Sequence, residues 1–118
     1  MLNPPRDQFP IEWDYLQTLA DGDPNFAIEL LQIFIKDLQT QLPVLKNAIE
    51  VQNFKQITAT AHYLKGASSN VGAKEMESLM RSLEAQGKSE VLDGAELIYA
   101  SMAHNFQTLA TWVQTATL

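Results

Sequence analysis

Apolar residues recur every three or four positions along almost the whole chain, which is the spacing of one face of an α-helix. No segment shows the strict alternation of apolar and polar residues that is typical of a half-buried β-strand. The longest helical pattern comprises Ala27, Leu30, Leu31, Phe34, Ile35, Leu38, Leu42, Leu45 and Ile49. The sequence therefore predicts an all-α protein.

Residues that cap or break helices divide this pattern near the N-terminus. A short amphipathic helix is expected over residues 12–20, closed by a turn at Asp21 and Gly22. Asp23 followed by Pro24 predicts the start of a long helix, because an aspartate can accept hydrogen bonds from free backbone amides and proline fits the first turn.

Similar signals divide the rest of the chain. Pro43 predicts a kink in the long helix, and Asn53 is expected to cap the helix that follows it. Gly72 is expected to end or bend this helix, and Gly87 is expected to stop the next one. A last helix is indicated from about Leu92 onward.

Four long helices with short connections predict an antiparallel up-and-down four-helix bundle, with an additional short N-terminal helix packed across one end. Residues 1–10 contain three of the five prolines and are expected to form an irregular arm. Residues 11–118 are expected to form a single helical bundle domain, since the chain is long enough for one core. Because such a bundle buries its own apolar faces, we expect a monomer.

The composition argues against several classes of partner and chemistry. A net charge of −6 disfavours nucleic acids and anionic membranes, which are bound through clustered lysines and arginines. The chain has no cysteine, which excludes disulfides and thiolate chemistry. It shows neither a secretion signal nor an uninterrupted apolar span, so a cytoplasmic location without a membrane segment is expected.

A histidine lies on a polar face of the predicted third helix. At about 100° per residue, Thr58, His62, Lys65, Gly66 and Ser69 share one face. The opposite, core-facing side carries Ile57, Ala61, Leu64, Ser68 and Val71. The imidazole is therefore expected to face solvent.

Two neighbours of His62 suggest chemistry on the imidazole. A glycine inside a helix costs about 1 kcal/mol relative to alanine, so Gly66 needs a reason. Close helix packing is one explanation; an opening beside the imidazole for another macromolecule is the one we favour. Lys65 lies beside His62 and could hold a phosphoryl group on a ring nitrogen.

These residues form a motif that resembles a known family. His62, Lys65 and Gly66 are followed by small residues and then by Gly72 and Ala73. The segment 83–88 also resembles the corresponding stretch of that family, on the helix that follows. From Ile11 onward the chain resembles the histidine-containing phosphotransfer (HPt) domain of multistep two-component phosphorelays.

The resemblance implies a phosphoryl carrier with no kinase catalytic domain of its own. His62 would accept a phosphoryl group from the receiver-domain aspartate of a hybrid histidine kinase and pass it to the aspartate of a response regulator. The chain would need no cofactor, because the partner receiver supplies Mg²⁺. Glu84 would accept a hydrogen bond from Nδ1–H of His62 and leave Nε2 as the nucleophile, or it would be a solvated surface carboxylate. Lys88 would be a weaker contact to phosphate or partner.

The resemblance also implies a surface on which receivers dock. Its members would be Tyr15, Leu19, Phe26, Leu30, Ser69 and Lys88. For the four apolar residues of this set, plain core packing is an equal alternative. Trp13 and Trp112 are expected to be packing residues, and His104 is expected to be structural or on the surface.

Three other interpretations stay open. The chain could be the phosphotransfer domain of a chemotaxis-type histidine kinase, which ATP phosphorylates through a separate catalytic domain. It could be a helical scaffold that binds receivers without transferring phosphate. A metal-binding bundle using His62 and His104 is disfavoured, because the sequence lacks the Glu-x-x-His repeats of such bundles. The donor, the acceptor and the direction of transfer are not specified by the sequence.

Overall fold

The computed structural model describes residue 4 and residues 9–117. Within these residues the chain forms five α-helices and no β-strand, which confirms the all-α prediction. The helices are α1 (Trp13–Leu19), α2 (Pro24–Glu50), α3 (Phe54–Val71), α4 (Lys74–Ser89) and α5 (Ala95–Ala116). Most of the predicted arm, residues 1–10, lies outside the described residues, and the division of the chain at residue 10 stays a prediction.

The predicted N-terminal caps of α2 and α3 are present. The Asp23 carboxylate accepts hydrogen bonds from the backbone amides of Asn25, at 2.9 Å, and Phe26, at 3.3 Å. The Asn53 side chain likewise accepts from the backbone amide of Gln56 at 3.1 Å. α2 continues through Pro43 as one helix of 27 residues, and the kink there stays a prediction.

Gly72 ends α3 as expected, in the left-handed conformation with a φ of 79°. Its amide donates to the Ser69 carbonyl at 3.2 Å, and the Ala73 amide donates to the Ser68 carbonyl at 2.9 Å. This pair of bonds is the Schellman motif, which satisfies the last carbonyls of a helix. It reverses the chain directly into α4, so that α3 and α4 form a tight antiparallel pair.

The end predicted for α4 is wrong. Gly87 lies inside the helix, which continues to Ser89 and ends at Glu90 with a φ of 58°. Gly87 is buried where α4 packs against α3, so its small size serves helix packing and does not end the helix. α5 begins at Ala95, and Leu92 lies in the connection before it.

The core runs the length of the bundle between α2, α3, α4 and α5, with α1 covering one end. The largest fully buried apolar side chains are Leu16, Leu31, Leu38, Leu45, Ile57, Leu64, Met76, Met80, Leu83, Met102 and Leu109. Their burial is the main stabilising contribution to the fold. The bundle agrees with the predicted architecture.

α1 is joined to the end of the bundle by backbone and aromatic contacts. The Glu12 amide donates to the Gly72 carbonyl at 3.0 Å. The Trp13 ring packs edge to face on Trp112 of α5, with 5.3 Å between the ring centroids, and Phe9 packs on the same Trp112 at 5.2 Å. The packing role predicted for both tryptophans is confirmed.

No helix in residues 9–117 is long and apolar enough to cross a lipid bilayer.

Candidate functional site

His62 lies in the middle of α3, with 70% of its side-chain surface exposed. The residues expected on the opposite face of α3 are all buried: Ile57, Ala61, Leu64, Ser68 and Val71. The amphipathic pattern of α3 therefore turns the imidazole toward solvent, as the sequence predicts.

Glu84 lies beside His62 on the neighbouring helix, α4. Its carboxylate oxygen Oε2 is 2.9 Å from Nδ1 of His62, although the two residues are 22 positions apart in the chain. Glu84 is only 6% exposed, so the solvated surface carboxylate considered from the sequence is wrong. The hydrogen bond joins α3 to α4 across the face of the bundle.

Two lysines complete a cluster around this carboxylate. Lys65 Nζ lies 2.7 Å from Glu84 Oε1, and Lys88 Nζ lies 3.4 Å from Glu84 Oε2. The pKa of Glu84 is lowered to about 2, chiefly by the hydrogen bond from Lys65 and against the opposing effect of burial; the His62 hydrogen bond and the charges of Lys65 and Lys88 also contribute to the lowering. Glu84 is therefore ionised at neutral pH.

The ionised state of Glu84 assigns the tautomer of His62. A carboxylate can only accept hydrogen bonds, so Nδ1 must carry the proton that joins the two groups. In a neutral imidazole, Nε2 then has a free lone pair. Since the ring is largely exposed, this lone pair is the group that an approaching partner would meet.

The charges of the cluster suit an anion. Two ammonium groups and one carboxylate sum to one positive charge beside the imidazole. Lys65 has two further N–H donors beyond the one that Glu84 accepts, and Lys88 is largely exposed. A phosphoryl group on Nε2 would find both a net positive charge and free donors.

Gly66 leaves open space one turn beyond His62. A Cβ atom built on Gly66 would meet no other group within 4 Å, so close helix packing is not the reason for this glycine. Because Gly66 has no side chain, the surface beside the imidazole is accessible to a partner.

Comparison with known proteins identifies the family. A family model described as the Hpt domain matches residues 29–114, which include all of α3 and α4. The chain belongs to the Hpt domain family.

Named relatives agree with this assignment. The chain is 30% identical over 89 residues to the phosphorelay intermediate protein rdeA of Dictyostelium discoideum, covering 75% of this chain and 35% of rdeA. It is 29% identical over 97 residues to the histidine-containing phosphotransfer protein 2 of Arabidopsis thaliana, covering 80% of this chain and 62% of that protein. The matched segment thus spans about a third of the first relative and less than two thirds of the second.

A solved structure shares the fold of this Hpt domain. The crystal structure of histidine-containing phosphotransfer protein B from Pseudomonas aeruginosa superposes with a TM-score of 0.81 over 93% of this chain and 96% of that one. The sequence identity is 23%, so the likeness concerns the fold alone.

The apolar residues expected to form the docking surface of the Hpt domain are largely on its exterior. Tyr15, Leu19 and Phe26 are 45%, 50% and 44% exposed. The alternative that these three side chains belong to the core is therefore wrong. Leu30 is partly buried against the core. Ser69 is exposed on the face of α3 that carries His62. Their contact with a partner stays a prediction.

Sequence reasoning missed two contacts next to the site. The Tyr63 hydroxyl donates to Asp37 Oδ2 of α2 at 3.0 Å, and Gly87 packs directly on Thr58 of α3. Tyr63 gave a weak signal as a large aromatic residue on the exposed side of a helix. Gly87 could have been identified as an interior glycine only with the length of α4 known.

The site of the Hpt domain is a surface and not a cavity. A cleft of about 720 Å³ lies at the far end of the bundle, between the end of α2 and the start of α5, and a second of about 410 Å³ lies beside α1. Neither cleft is lined by His62, Lys65, Glu84 or Lys88. His104 is exposed on α5, and no three metal-ligating side chains come together within the described ranges. The geometry suits a macromolecular partner better than a small enclosed ligand.

Proposed function

We propose that this protein is a phosphorelay intermediate that carries a phosphoryl group on Nε2 of His62. The observation that carries the proposal is the 2.9 Å hydrogen bond between Nδ1 of an exposed His62 and the buried, ionised Glu84. Membership of the Hpt domain family and the names of the relatives support it.

The transfer step uses the lone pair that this hydrogen bond leaves free. Nε2 attacks the phosphorus of a phospho-aspartate, an N–P bond forms, and the acyl P–O bond breaks to leave the donor's aspartate as a carboxylate. The ring becomes a phosphorylated imidazolium that keeps its Nδ1 proton. Glu84 accepts a hydrogen bond from this proton and stabilises the positive charge on the ring.

Onward transfer is the same step in reverse. An acceptor carboxylate attacks the phosphorus, the N–P bond breaks, and the electron pair returns to Nε2 of a neutral imidazole. No proton has to leave or enter the ring in either direction. Lys65 and Lys88 balance the charge of the phosphoryl group while it is bound, which is the main requirement of phosphoryl transfer besides alignment.

The partners in this proposal are the receiver domains of a hybrid histidine kinase and of a response regulator. The receiver supplies the aspartate and Mg²⁺, so the protein acts as a carrier without a catalytic domain or cofactor of its own. Gly66 allows the receiver to approach the imidazole, and Tyr15, Leu19, Phe26 and Leu30 extend the contact, with Ser69 and Lys88 nearer the ring. The protein works as a monomer in the cytoplasm, where these partners act.

Transfer between purified proteins tests the proposal. A receiver carrying labelled phospho-aspartate is mixed in magnesium buffer with the wild-type protein or with H62Q, and an unlabelled second receiver is then added. Because His62 is largely exposed, H62Q should fold normally, which circular dichroism verifies. We expect acid-labile, base-stable label on the wild type alone, and its onward passage to the second receiver.

Other outcomes would contradict the proposal. No label on a folded wild type from any of several receivers would exclude a relay role and favour a receiver-binding scaffold. Label that arrives only from ATP and a kinase catalytic domain would favour a fragment of a chemotaxis-type kinase.

A further inference from the structure

The His62–Glu84 hydrogen bond depends on the distance between two helices. His62 belongs to α3 and Glu84 to α4, and Glu84 is the hydrogen-bond partner of the imidazole among the described residues. Hydrogen bonds of this type span about 2.7–3.2 Å and are lost beyond about 3.5 Å. A small increase in the separation of α3 and α4 would therefore break the bond.

The two helices approach each other closely about one turn away from this bond. Gly87 follows Glu84 by three residues on α4, and Thr58 precedes His62 by four residues on α3. Because the helices are antiparallel, these two displacements point in the same direction along the bundle. Gly87 and Thr58 thus face each other directly beside the His62–Glu84 pair.

A side chain on Gly87 could not be accommodated at the observed helix separation. Its Cβ would lie 3.0 Å from the backbone nitrogen of Thr58 and 3.2 Å from Cγ2 of Ile57, and it would overlap Oγ1 of Thr58. The hydroxyl of Thr58 already donates to the Phe54 carbonyl at 2.8 Å, so it cannot rotate away without losing that bond. The backbone nitrogen cannot move independently of α3. Relief would come from moving the two helices apart.

We infer that Gly87 is a positioning residue for His62. The absence of a side chain at Gly87 sets the separation of α3 and α4 that holds Glu84 against Nδ1, and so keeps Nε2 as the unprotonated nitrogen. The effect on the imidazole follows from the helix separation and from the hydrogen bond that it maintains. The effect on phosphoryl transfer rests on the proposed function.

The variant G87A isolates this role. Alanine favours a helix more than glycine does, so helix propensity alone would strengthen α4, and any opposite effect reports the contact with α3. L109A is the matched control, because Leu109 is fully buried on α5 and its truncation destabilises the bundle without placing an atom between α3 and α4. Both variants are compared with wild type under conditions in which each is folded.

The first readout is the ¹⁵N NMR spectrum of the His62 ring, which distinguishes the two tautomers. We expect wild type and L109A to carry the proton on Nδ1, and G87A to show a mixture of both tautomers. T58A/G87A removes the overlapping hydroxyl but leaves the new Cβ 3.0 Å from the backbone nitrogen of residue 58. We therefore expect it to return the spectrum only part of the way to that of wild type, with the second tautomer still detectable, and it replaces G87A in the comparison if G87A does not fold. A wild-type ring spectrum in folded G87A, or in folded T58A/G87A where that variant takes its place, would overturn the inference.

The second readout is the rate of phosphoryl transfer from a phosphorylated receiver. G87A should slow transfer by about 10- to 100-fold, as expected for a displaced reacting group, and L109A should not. In an E84A background, G87A should have no further effect, because the bond that it disturbs is already absent. Additive effects of G87A and E84A would also overturn the inference. If wild type accepts no phosphoryl group at all, the proposed function fails, while the ring spectrum still tests Gly87.

Discussion

The Glu84 carboxylate contacts three side chains, two of which belong to a different helix. It receives hydrogen bonds from Lys65 and His62 and lies within ion-pair distance of Lys88. The sequence predicted the His62 contact only as one of two alternatives, because a glutamate on an amphipathic helix can equally face solvent. The burial of Glu84 depends on how α4 rotates against α3, which no local sequence pattern specifies.

We predict that the stabilising effect of Glu84 depends on pH. Its pKa is lowered from 4.5 to about 2 in the folded protein, so folding favours the ionised form. That contribution is complete at neutral pH, and it is lost as the pH falls from about 4.5 through about 2. E84Q should lower the free energy of unfolding by about 1–3 kcal/mol at pH 7, and the difference from wild type should shrink toward pH 2.

Urea denaturation at a series of pH values measures this effect. The control is E77Q, which removes an ion pair of 3.0 Å with Arg81 on the surface of α4 and should cost less than about 1 kcal/mol. If the loss of unfolding free energy in E84Q stayed constant from pH 7 to pH 2.5, the ionised state assigned to Glu84 would be contradicted.

Gly66 is predicted to lower stability and to aid transfer. G66A should raise the free energy of unfolding by about 0.5–1 kcal/mol, because alanine favours the helix and the new methyl group meets nothing within 4 Å. The same methyl group should slow phosphoryl transfer by obstructing the receiver. Thermal denaturation and the transfer assay test the two effects separately. Transfer at the wild-type rate in G66A would show that the opening at this position is not needed.

At the scale of helices, the sequence predicted the capped starts of α2 and α3 but only one of the two helix ends assigned to glycines. Asp23 and Asn53 cap their helices through local hydrogen bonds, and such bonds can be predicted from neighbouring residues. Gly72 and Gly87 look alike in the sequence, yet one ends α3 and the other lies inside α4. Their difference lies in what packs against them, Tyr15 for Gly72 and Thr58 for Gly87, and these are contacts between distant parts of the chain.

The junction of α1 with α3 gives a prediction at the same scale. Alanine at Gly72 would have to adopt a φ near 79°, and its Cβ would lie 2.8 Å from Cδ2 of Tyr15. Gly22 has a φ of 78° with nothing within 4 Å, so G22A reports the backbone strain alone. We expect G22A to cost about 1–2 kcal/mol in unfolding free energy, and G72A to cost more.

Equilibrium unfolding of the two variants gives the comparison. In the Y15A background, the excess cost of G72A over G22A should fall, because the clashing ring is gone. Equal costs for G72A and G22A in the wild-type background would indicate that Tyr15 moves aside freely and that α1 is loosely attached.

For the whole molecule, large exposed apolar side chains occur at both ends of the bundle as well as along its length. Tyr15, Leu19 and Phe26 lie at the end where α1 meets α2, and Leu97 lies at the start of α5, beside the cleft at the far end. The resemblance of the sequence to phosphotransfer domains predicted a role for the first set only. Composition and helical periodicity alone would have predicted a bundle without selecting either end as a docking surface.

Docking at the α1 end is testable with a matched pair of variants. F26A should raise the KM for a phosphorylated receiver by about 5- to 30-fold, the effect of removing an apolar side chain at the centre of an interface, with little change in kcat. L97A removes a residue that is 76% exposed at the other end and should leave both constants unchanged. Equal effects of F26A and L97A would contradict docking at the α1 end.

The central claim is that Nε2 of His62 carries the phosphoryl group while Nδ1 keeps its proton. ³¹P and ¹⁵N NMR of the ¹⁵N-labelled protein, phosphorylated by a receiver in magnesium buffer, identify the nitrogen that is bonded to phosphorus. We predict phosphorus coupled to Nε2 of His62 and a protonated Nδ1. Phosphorus on Nδ1, or on any other residue, would contradict the account.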